Sequence, residues 1–332
     1  MQRTHAFVVL LTTLAALPGV WAAKLTAACA GTTVWWQASM NDDVDLLQDD
    51  TNDRFTQVLL KSGNRGCKGV SAKGAEPLKL AEPRIDFEGG TPTERDARLV
   101  PDPAQPARKV LAFSLQQAYA KGWSGKPAKG RVQMDVYGNQ GIRQLRVRVR
   151  VKLPADMAVL RDFPGRIDWL TVSEWWNNAS WSNEPLPFRI TVNLTKPQAG
   201  RGSALRLQAH AQSLGTAGRW DKTWWEQTND AFEFPVGRWV TLEYWLVEGD
   251  SRSGRFQLTA TVEGQKPLTV LDVSGPTHDP SDPKPNGWGH FNPLKLYTSK
   301  QVIEYAHRNI RALQIMWMDL HILGCSELID CH

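Results

Sequence analysis

Residues 144–152 read QLRVRVRVK. Leu145, Val147, Val149 and Val151 alternate with Arg146, Arg148, Arg150 and Lys152. Successive side chains of a β-strand point to opposite faces, so this stretch sorts itself into an aliphatic face and a cationic one. The same period recurs on either side of it. It appears in 167–176 (IDWLTVSEWW), 188–194 (FRITVNL), 204–212 (ALRLQAHAQ), 239–247 (WVTLEYWLV), 255–262 (RFQLTATV), 268–273 (LTVLDV), 294–297 (LKLY) and 312–323 (ALQIMWMDLHIL). Asn177–Asn178, Pro197–Gly202, Gly249–Gly254, Gly264 and Pro276–Gly289 supply turn-formers between most of these runs. Helical candidates are two, 114–122 (SLQQAYAKG) and 300–309. Many short half-buried strands separated by Gly/Pro turns specify an all-β fold, a sandwich of two antiparallel sheets of the jelly-roll kind. No repeat of 20–50 residues is visible, which excludes a propeller or solenoid.

The chain has 332 residues, 42% hydrophobic and 22% charged, a balance that excludes a disordered or fibrous protein. Residues 1–23 read as a secretory signal peptide: Arg3 and His5, an apolar run from Ala6 to Val20, then Trp21, Ala22 and Ala23 at a cleavage site. That run is too short for a membrane span, which needs roughly 20 residues. A secreted or periplasmic, soluble and monomeric protein is expected. A lipoprotein anchored at Cys29 is the weaker alternative, since Thr26 stands where an apolar residue is usual. Residues 24–108, acidic and then Pro/Gly-rich, read as an irregular elaboration packed on a main domain at 109–332. In an oxidising compartment the four cysteines suggest disulfides, and Cys29–Cys67 with Cys325–Cys331 close the shortest loops.

Net charge is +5, and 15 Trp stand against 5 Tyr. Trp is a flat amphipathic contact surface. In an exported, basic protein the combination points to an acidic polysaccharide as partner and away from nucleic acid. Gly125–Arg131 (GKPAKGR) lacks the Lys-Ser/Thr ending of a phosphate loop, Ser251 in GDSRSG is no nucleophile elbow, and H-E-x-x-H is absent. No cofactor and no catalytic metal are expected; a structural Ca²⁺ held by backbone oxygens would leave little trace in a sequence.

The informative residues lie on the polar faces of three strands. They are Arg189 and Asn193, then Gln208 and His210, then Lys295 and Tyr297. On one sheet they would form a surface suited to β-elimination of a uronate. That reaction removes the C5 proton beside a carboxylate, whose charge must be neutralised by donors such as Arg, Asn and Gln. His suits the base, and Tyr the acid that protonates the leaving oxygen, or both acid and base if cations lower its pKa.

Gln208-Ala209-His210 resembles the Q-x-H strand motif of the jelly-roll alginate lyases. Phe291–Ser299 (FNPLKLYTS) resembles their Y-F-K-x-G-x-Y-x-Q segment, with Lys295 and Tyr297 at the Lys and Tyr positions. The likeness spans about residues 190–300. The Lys–Tyr spacing is shorter here, Ser299 replaces the final Gln, and no R-[ST]-E-[LV]-R strand is evident. The resemblance, which extends to glucuronan lyases, implies a concanavalin A-like jelly roll. It also implies a polysaccharide lyase with Arg189, Asn193 and Gln208 as neutralisers, His210 as base and Tyr297 as acid.

A second constellation is Asp168–Asn178 (DWLTVSEWWNN). Alternation puts Leu170, Val172 and Glu174 on one face and Trp169, Thr171, Ser173 and Trp175 on the other; a bulge near Glu174 would reverse this. Glu174 and Glu243 are the one carboxylate pair to consider for a glycoside hydrolase. A non-catalytic carbohydrate-binding protein is the third reading. Lys295, Glu174, Trp175, Trp176 and Trp245 are expected to touch substrate, with Trp181, Trp224, Trp225 and Trp288 as further sugar platforms. Trp169, Trp239 and Trp317 are expected to be structural. Arg146, Arg148 and Arg150 are either groove cations or the outer face of the back sheet.

Overall fold

The computed structural model describes residues 32–41, 44–48, 55–60, 83–88, 94–118, 129–215 and 218–325. The expected signal peptide, Cys29, Cys67, Cys331 and the side chain of Cys325 lie outside the described residues, and with them the expected disulfide pairing.

Eighteen strands follow in order: β1 (Thr32–Ala38), β2 (Val44–Gln48), β3 (Phe55–Leu60), β4 (Arg84–Glu88), β5 (Arg95–Asp102), β6 (Gln105–Leu115), β7 (Lys129–Tyr137), β8 (Gln144–Lys152), β9 (Leu170–Trp176), β10 (Phe188–Thr195), β11 (Arg206–Ser213), β12 (Lys222–Glu233), β13 (Val240–Val247), β14 (Arg255–Val262), β15 (Leu268–Ser274), β16 (His290–Asn292), β17 (Lys295–Ser299) and β18 (Leu313–Cys325). Among the described residues one α-helix, α1 (Lys300–Asn309), precedes β18. The strands form two antiparallel sheets, a jelly-roll sandwich. The back sheet runs β15-β14-β13-β8-β18-β6-β5, with β1 beside β18. The front sheet runs β12-β11-β10-β9-β16-β7-β4-β3-β2, with β17 between β7 and β9.

The alternation of β8 is realised as written. Leu145, Val147, Val149 and Val151 are buried in the core, where Ile190, Val192, Leu207 and Ala209 meet them from the front sheet. The cations of β8 lie on the outside of the back sheet, where Arg148 pairs with Glu243 (3.4 Å) and Arg150 with Glu263 (2.8 Å). Arg146, Arg148 and Arg150 are therefore not groove cations.

Two expectations change. Residue 109 falls inside β6, and the described strands of 24–108 belong to both sheets, because β2–β4 extend the front sheet and β5–β6 the back. Their short, interrupted hydrophobic runs hide this membership. The helix expected over 114–122 is not formed at its start: Ser114 and Leu115 finish β6, while 119–122 lie outside the described residues.

Ile190 is fully buried between the sheets. Ile190→Ala should therefore lower unfolding free energy by about 2–5 kcal/mol. Arg148→Ala, on the solvated back face, should change it by about 1 kcal/mol or less. Urea unfolding followed by far-UV circular dichroism checks both, and equal losses would contradict the placement of the core.

Candidate active site

A groove of about 1100 Å³ lies on the outer face of the front sheet. Strand register places its floor. Across β11, β10, β9, β17 and β7, one row reads Gln208, Asn193, Thr171, Tyr297, Arg131. A neighbouring row reads His210, Thr191, Glu174. A third reads Gln212, Arg189, Trp176. His210 and Tyr297 thus share one face of one sheet. Three strand spacings across the sheet and one two-residue step along it separate them, roughly 16 Å at the backbone.

A bulge makes this arrangement possible. Asn193 pairs with Thr171 while Val192 pairs with Ser173, so β9 carries an extra residue there. Strict alternation would turn Glu174 to the core. The bulge instead brings Glu174 to the groove and sends Trp175 inward, where its ring packs on Tyr244 (5.0 Å) and Phe291 (5.8 Å). Trp175 is accordingly a core residue and no sugar contact.

Glu174 is buried between two cations. Lys295 Nζ donates to one carboxylate oxygen, and Arg189 Nη1 donates to the other at 3.0 Å. Burial would raise the Glu174 pKa, but Lys295 and Arg189 outweigh it and hold the carboxyl below its ordinary value. Burial lowers Lys295 to about 8 against the pull of Glu174, so both partners are ionised at neutral pH. Arg189 is braced further by Gln212, whose Oε1 accepts from Nη2 (3.0 Å) and Nε (3.3 Å).

Tyr297 and His210 are tuned differently. Lys129 Nζ donates to the Tyr297 hydroxyl at 2.7 Å and pairs with Glu88 at 3.3 Å. Burial raises the phenol above its ordinary value in spite of Lys129, so it is protonated at neutral pH. Burial, helped by Arg189, lowers His210 to about 4, so its imidazole is neutral there. Between them, Asn193 accepts from Thr171 Oγ1 (2.8 Å) and donates to Thr191 Oγ1 (3.3 Å). Gln208 donates to Glu226 (2.9 Å) and Thr228 (3.1 Å) at the β12 side.

Deeper in the same face, Asn292 donates to Asp135 (2.8 Å) and to the Tyr137 hydroxyl (3.1 Å), and Gln133 donates to Asp135 (2.7 Å). Burial, with Asp86 close by, raises Asp135 to about 7. Among the described residues no cluster of three or more His, Cys, Asp or Glu could hold a metal ion. No helix among them is long and apolar enough to cross a membrane.

The expected residues divide clearly. Arg189, Asn193, Gln208, His210, Lys295, Tyr297, Glu174 and Trp176 all line the groove. Trp245 and Glu243 do not: they sit on β13, opposite Arg146 and Arg148, on the far side of the molecule. Glu174 and Glu243 therefore cannot flank one glycosidic bond, and the carboxylate pair fails. Trp288 is buried, and the half-buried Trp224 and Trp225 do not line the groove. Trp169 moves the other way. It lines the groove with its ring 4.7 Å from that of Tyr297, whereas Trp239 and Trp317 are buried as expected. Lys129, Arg131 and Trp220 line the groove without having been singled out. The first two were readable, because 129–137 (KGRVQMDVY) alternates as cleanly as β8. Trp220 lies in a loop with no period to betray it.

The site is a donor-lined groove on a jelly-roll sheet. No protein-family model and no curated protein matches the chain. Solved structures of similar architecture include the marine PL-14 alginate lyase from Aplysia kurodai. It is 12% identical, with a TM-score of 0.42, over 72% of this chain and 90% of that one. The endo-β-1,4-glucuronan lyase from the fungus Trichoderma reesei is 11% identical, with a TM-score of 0.42, over 72% and 89%. The exoplasmic/lumenal domain of VIP36, bound to Ca²⁺ and Man3GlcNAc, is 10% identical, with a TM-score of 0.37, over 72% and 82%.

Replacing Glu174 by Gln leaves two buried cations without their carboxylate, which should cost about 3–5 kcal/mol of stability at pH 7. The folded pKa of Glu174 lies below its unfolded value. Its contribution is therefore complete above the unfolded pKa of about 4.3 and is lost as pH falls through the folded value. Urea unfolding of wild type and variant should show a gap that narrows as pH falls below about 4.3, where Glu174 itself titrates. A gap that fails to narrow in that acid range would contradict the ion-pair assignment.

Proposed function

We propose that this chain is an exported polysaccharide lyase that cleaves an acidic, uronate-containing polymer by β-elimination. One observation carries the reading: a neutral imidazole and a protonated phenol flank a floor of amide and guanidinium donors on one sheet face. Two titratable groups pushed to opposite sides of neutrality make a base and an acid available together.

The roles follow. Asn193 and Arg189 hydrogen-bond the substrate carboxylate and stabilise the enolate-like charge that develops on it; Gln208, whose two N–H groups go to Glu226 and Thr228, joins them by exchanging one of these bonds for the substrate. Arg189 suits this because three of its five N–H groups go to Gln212 and Glu174, leaving two for a ligand. His210 removes the C5 proton. The electron pair of the C5–H bond becomes the C4–C5 double bond, the C4–O bond breaks, and the departing oxygen takes the Tyr297 proton. Lys129 then stabilises the phenolate until solvent returns a proton to Tyr297 and takes the C5-derived proton from His210. Glu174 donates no proton; it orients Arg189 and Lys295.

Incubation with alginate, glucuronan, hyaluronan and a neutral glucan separates this reading from its rivals. A lyase raises both ultraviolet absorbance of the unsaturated uronate and reducing ends, on an acidic polymer alone. Reducing ends without absorbance indicate a hydrolase, and binding without either indicates a carbohydrate-binding protein. His210→Ala and Tyr297→Phe should each reduce the ultraviolet rate by about 100-fold or more. The acid limb of kcat/KM should fall near pH 4, where His210 titrates, and not near the ordinary histidine value of about 6.5. Full activity in both variants would overturn the assignment.

A further inference from the structure

The groove crosses the strands, and loops at opposite strand ends form its two walls. One wall holds Trp169 and Pro197; the other holds Trp181 and Trp220. We propose that the second wall is a stacking site for one sugar ring, in which Trp181 and Trp220 contact the ring and Glu184 with His290 are the residues that position Trp181. The proposal rests on the lyase reading only in taking uronate oligomers as probes.

Trp181 is 47% exposed, while its neighbours are packed beneath it. Its ring stands edge-on to Trp176 at 4.3 Å and tilts over Tyr137 at 5.4 Å. Trp176 in turn meets Trp220 edge-on at 5.1 Å. The indole is thus supported from below and bare above, at the margin of a groove whose floor is polar. An apolar face beside convergent N–H donors complements a pyranose, which has an apolar C–H face and a polar rim. Arg189 supplies the polar partner, because its guanidinium stacks 4.4 Å from the Trp220 ring. The apolar chain of a lipid would leave those donors unmatched.

The loop that carries Trp181 is held against its own preference. Leu186 adopts left-handed backbone (φ 49°), which a residue bearing a β-carbon avoids, whereas Asn183 (φ 57°) is of a type that tolerates this region. Leu186 is itself exposed, so no burial offsets the strain. Glu184 closes the loop by accepting from the Ala179 N–H (2.6 Å) and the Ser182 hydroxyl (2.9 Å). The same carboxylate meets His290 Nε2 at 3.0 Å. His290 Nδ1 accepts the Gly138 N–H at 3.2 Å, so the proton resides on Nε2 and is donated to Glu184. Asn178 adds a further tie by donating to the Pro185 carbonyl at 2.7 Å. A bare indole on a strained, braced loop is a feature that folding alone does not explain and a ligand does.

Quenching of tryptophan fluorescence by defined tetrasaccharides tests the wall independently of cleavage. The probes are oligomannuronate, oligoglucuronate, a hyaluronan tetramer and cellotetraose. At least one uronate probe should quench the wild type, and Trp181→Ala should weaken its affinity about tenfold or more. Glu184→Ala should weaken it in the same direction, and Glu184→Ala combined with Trp181→Ala should bind no more weakly than Trp181→Ala alone, because Glu184 acts through that ring. His290→Gln, which keeps a donor, should retain more affinity than His290→Ala. Unchanged affinity in Trp181→Ala, additive losses in the double variant, or no quenching by any probe overturns the proposal. Wild-type quenching that depends on Trp181 but comes without unsaturated product would leave the wall standing and remove the lyase reading. Cleavage indifferent to Trp181 would do the reverse.

Discussion

A carboxylate buried on β9 between an ammonium from β17 and a guanidinium from β10 is the constraint around which the groove is built. Charges taken out of water must be paired, and removing one partner is far more damaging than never having buried any. Glu174 therefore locks the side-chain positions of three neighbouring strands. Arg189 extends the lock to β11 through Gln212 and presents its remaining edge to the groove. The β9 bulge is what brings the carboxylate to this face. Without it the carboxylate would point at Tyr244 and the aliphatic core, and the charge would have no partner.

The two outer faces of the sandwich show why net charge alone says little about where a ligand binds. The back sheet carries the conspicuous arginines of β8, yet Arg148 and Arg150 are matched by acids from β13 and the β14 end. On the front sheet Lys129, Arg131, Arg189 and Lys295 are gathered around one trough, and several of them are held at reduced solvation. Burial there does two jobs. It keeps the His210 imidazole unprotonated and the Tyr297 phenol protonated, and it strengthens every donor aimed at a bound anion.

Much of this was legible beforehand because period two is a strong signal. The alternation in 188–194 and 204–212 places Arg189, Asn193, Gln208 and His210 on one surface, and β10 pairs with β11 in the register that makes them neighbours. What failed did so for identifiable reasons. Trp175 was assigned to the wrong face because one extra residue in β9 inverts everything beyond it. Trp245 and Glu243 alternate correctly on β13, but alternation fixes a face within a sheet and cannot say which sheet. The same gap left Arg146, Arg148 and Arg150 undecided between groove and back. The strands of 24–108 were hidden by loops between them, and Trp220 by its place in a turn.

The central claim is geometric: one uronate residue lies over Asn193 with its carboxylate on the amide and guanidinium donors, between the His210 imidazole and the Tyr297 hydroxyl. The most direct measurement is a crystal structure of Tyr297→Phe soaked with an oligouronate. The account predicts a sugar carboxylate within hydrogen-bonding distance of Asn193 and Arg189, and C5 of that residue facing His210. An oligomer bound elsewhere on the sandwich, or lying in the groove with its carboxylates turned to solvent, would contradict it.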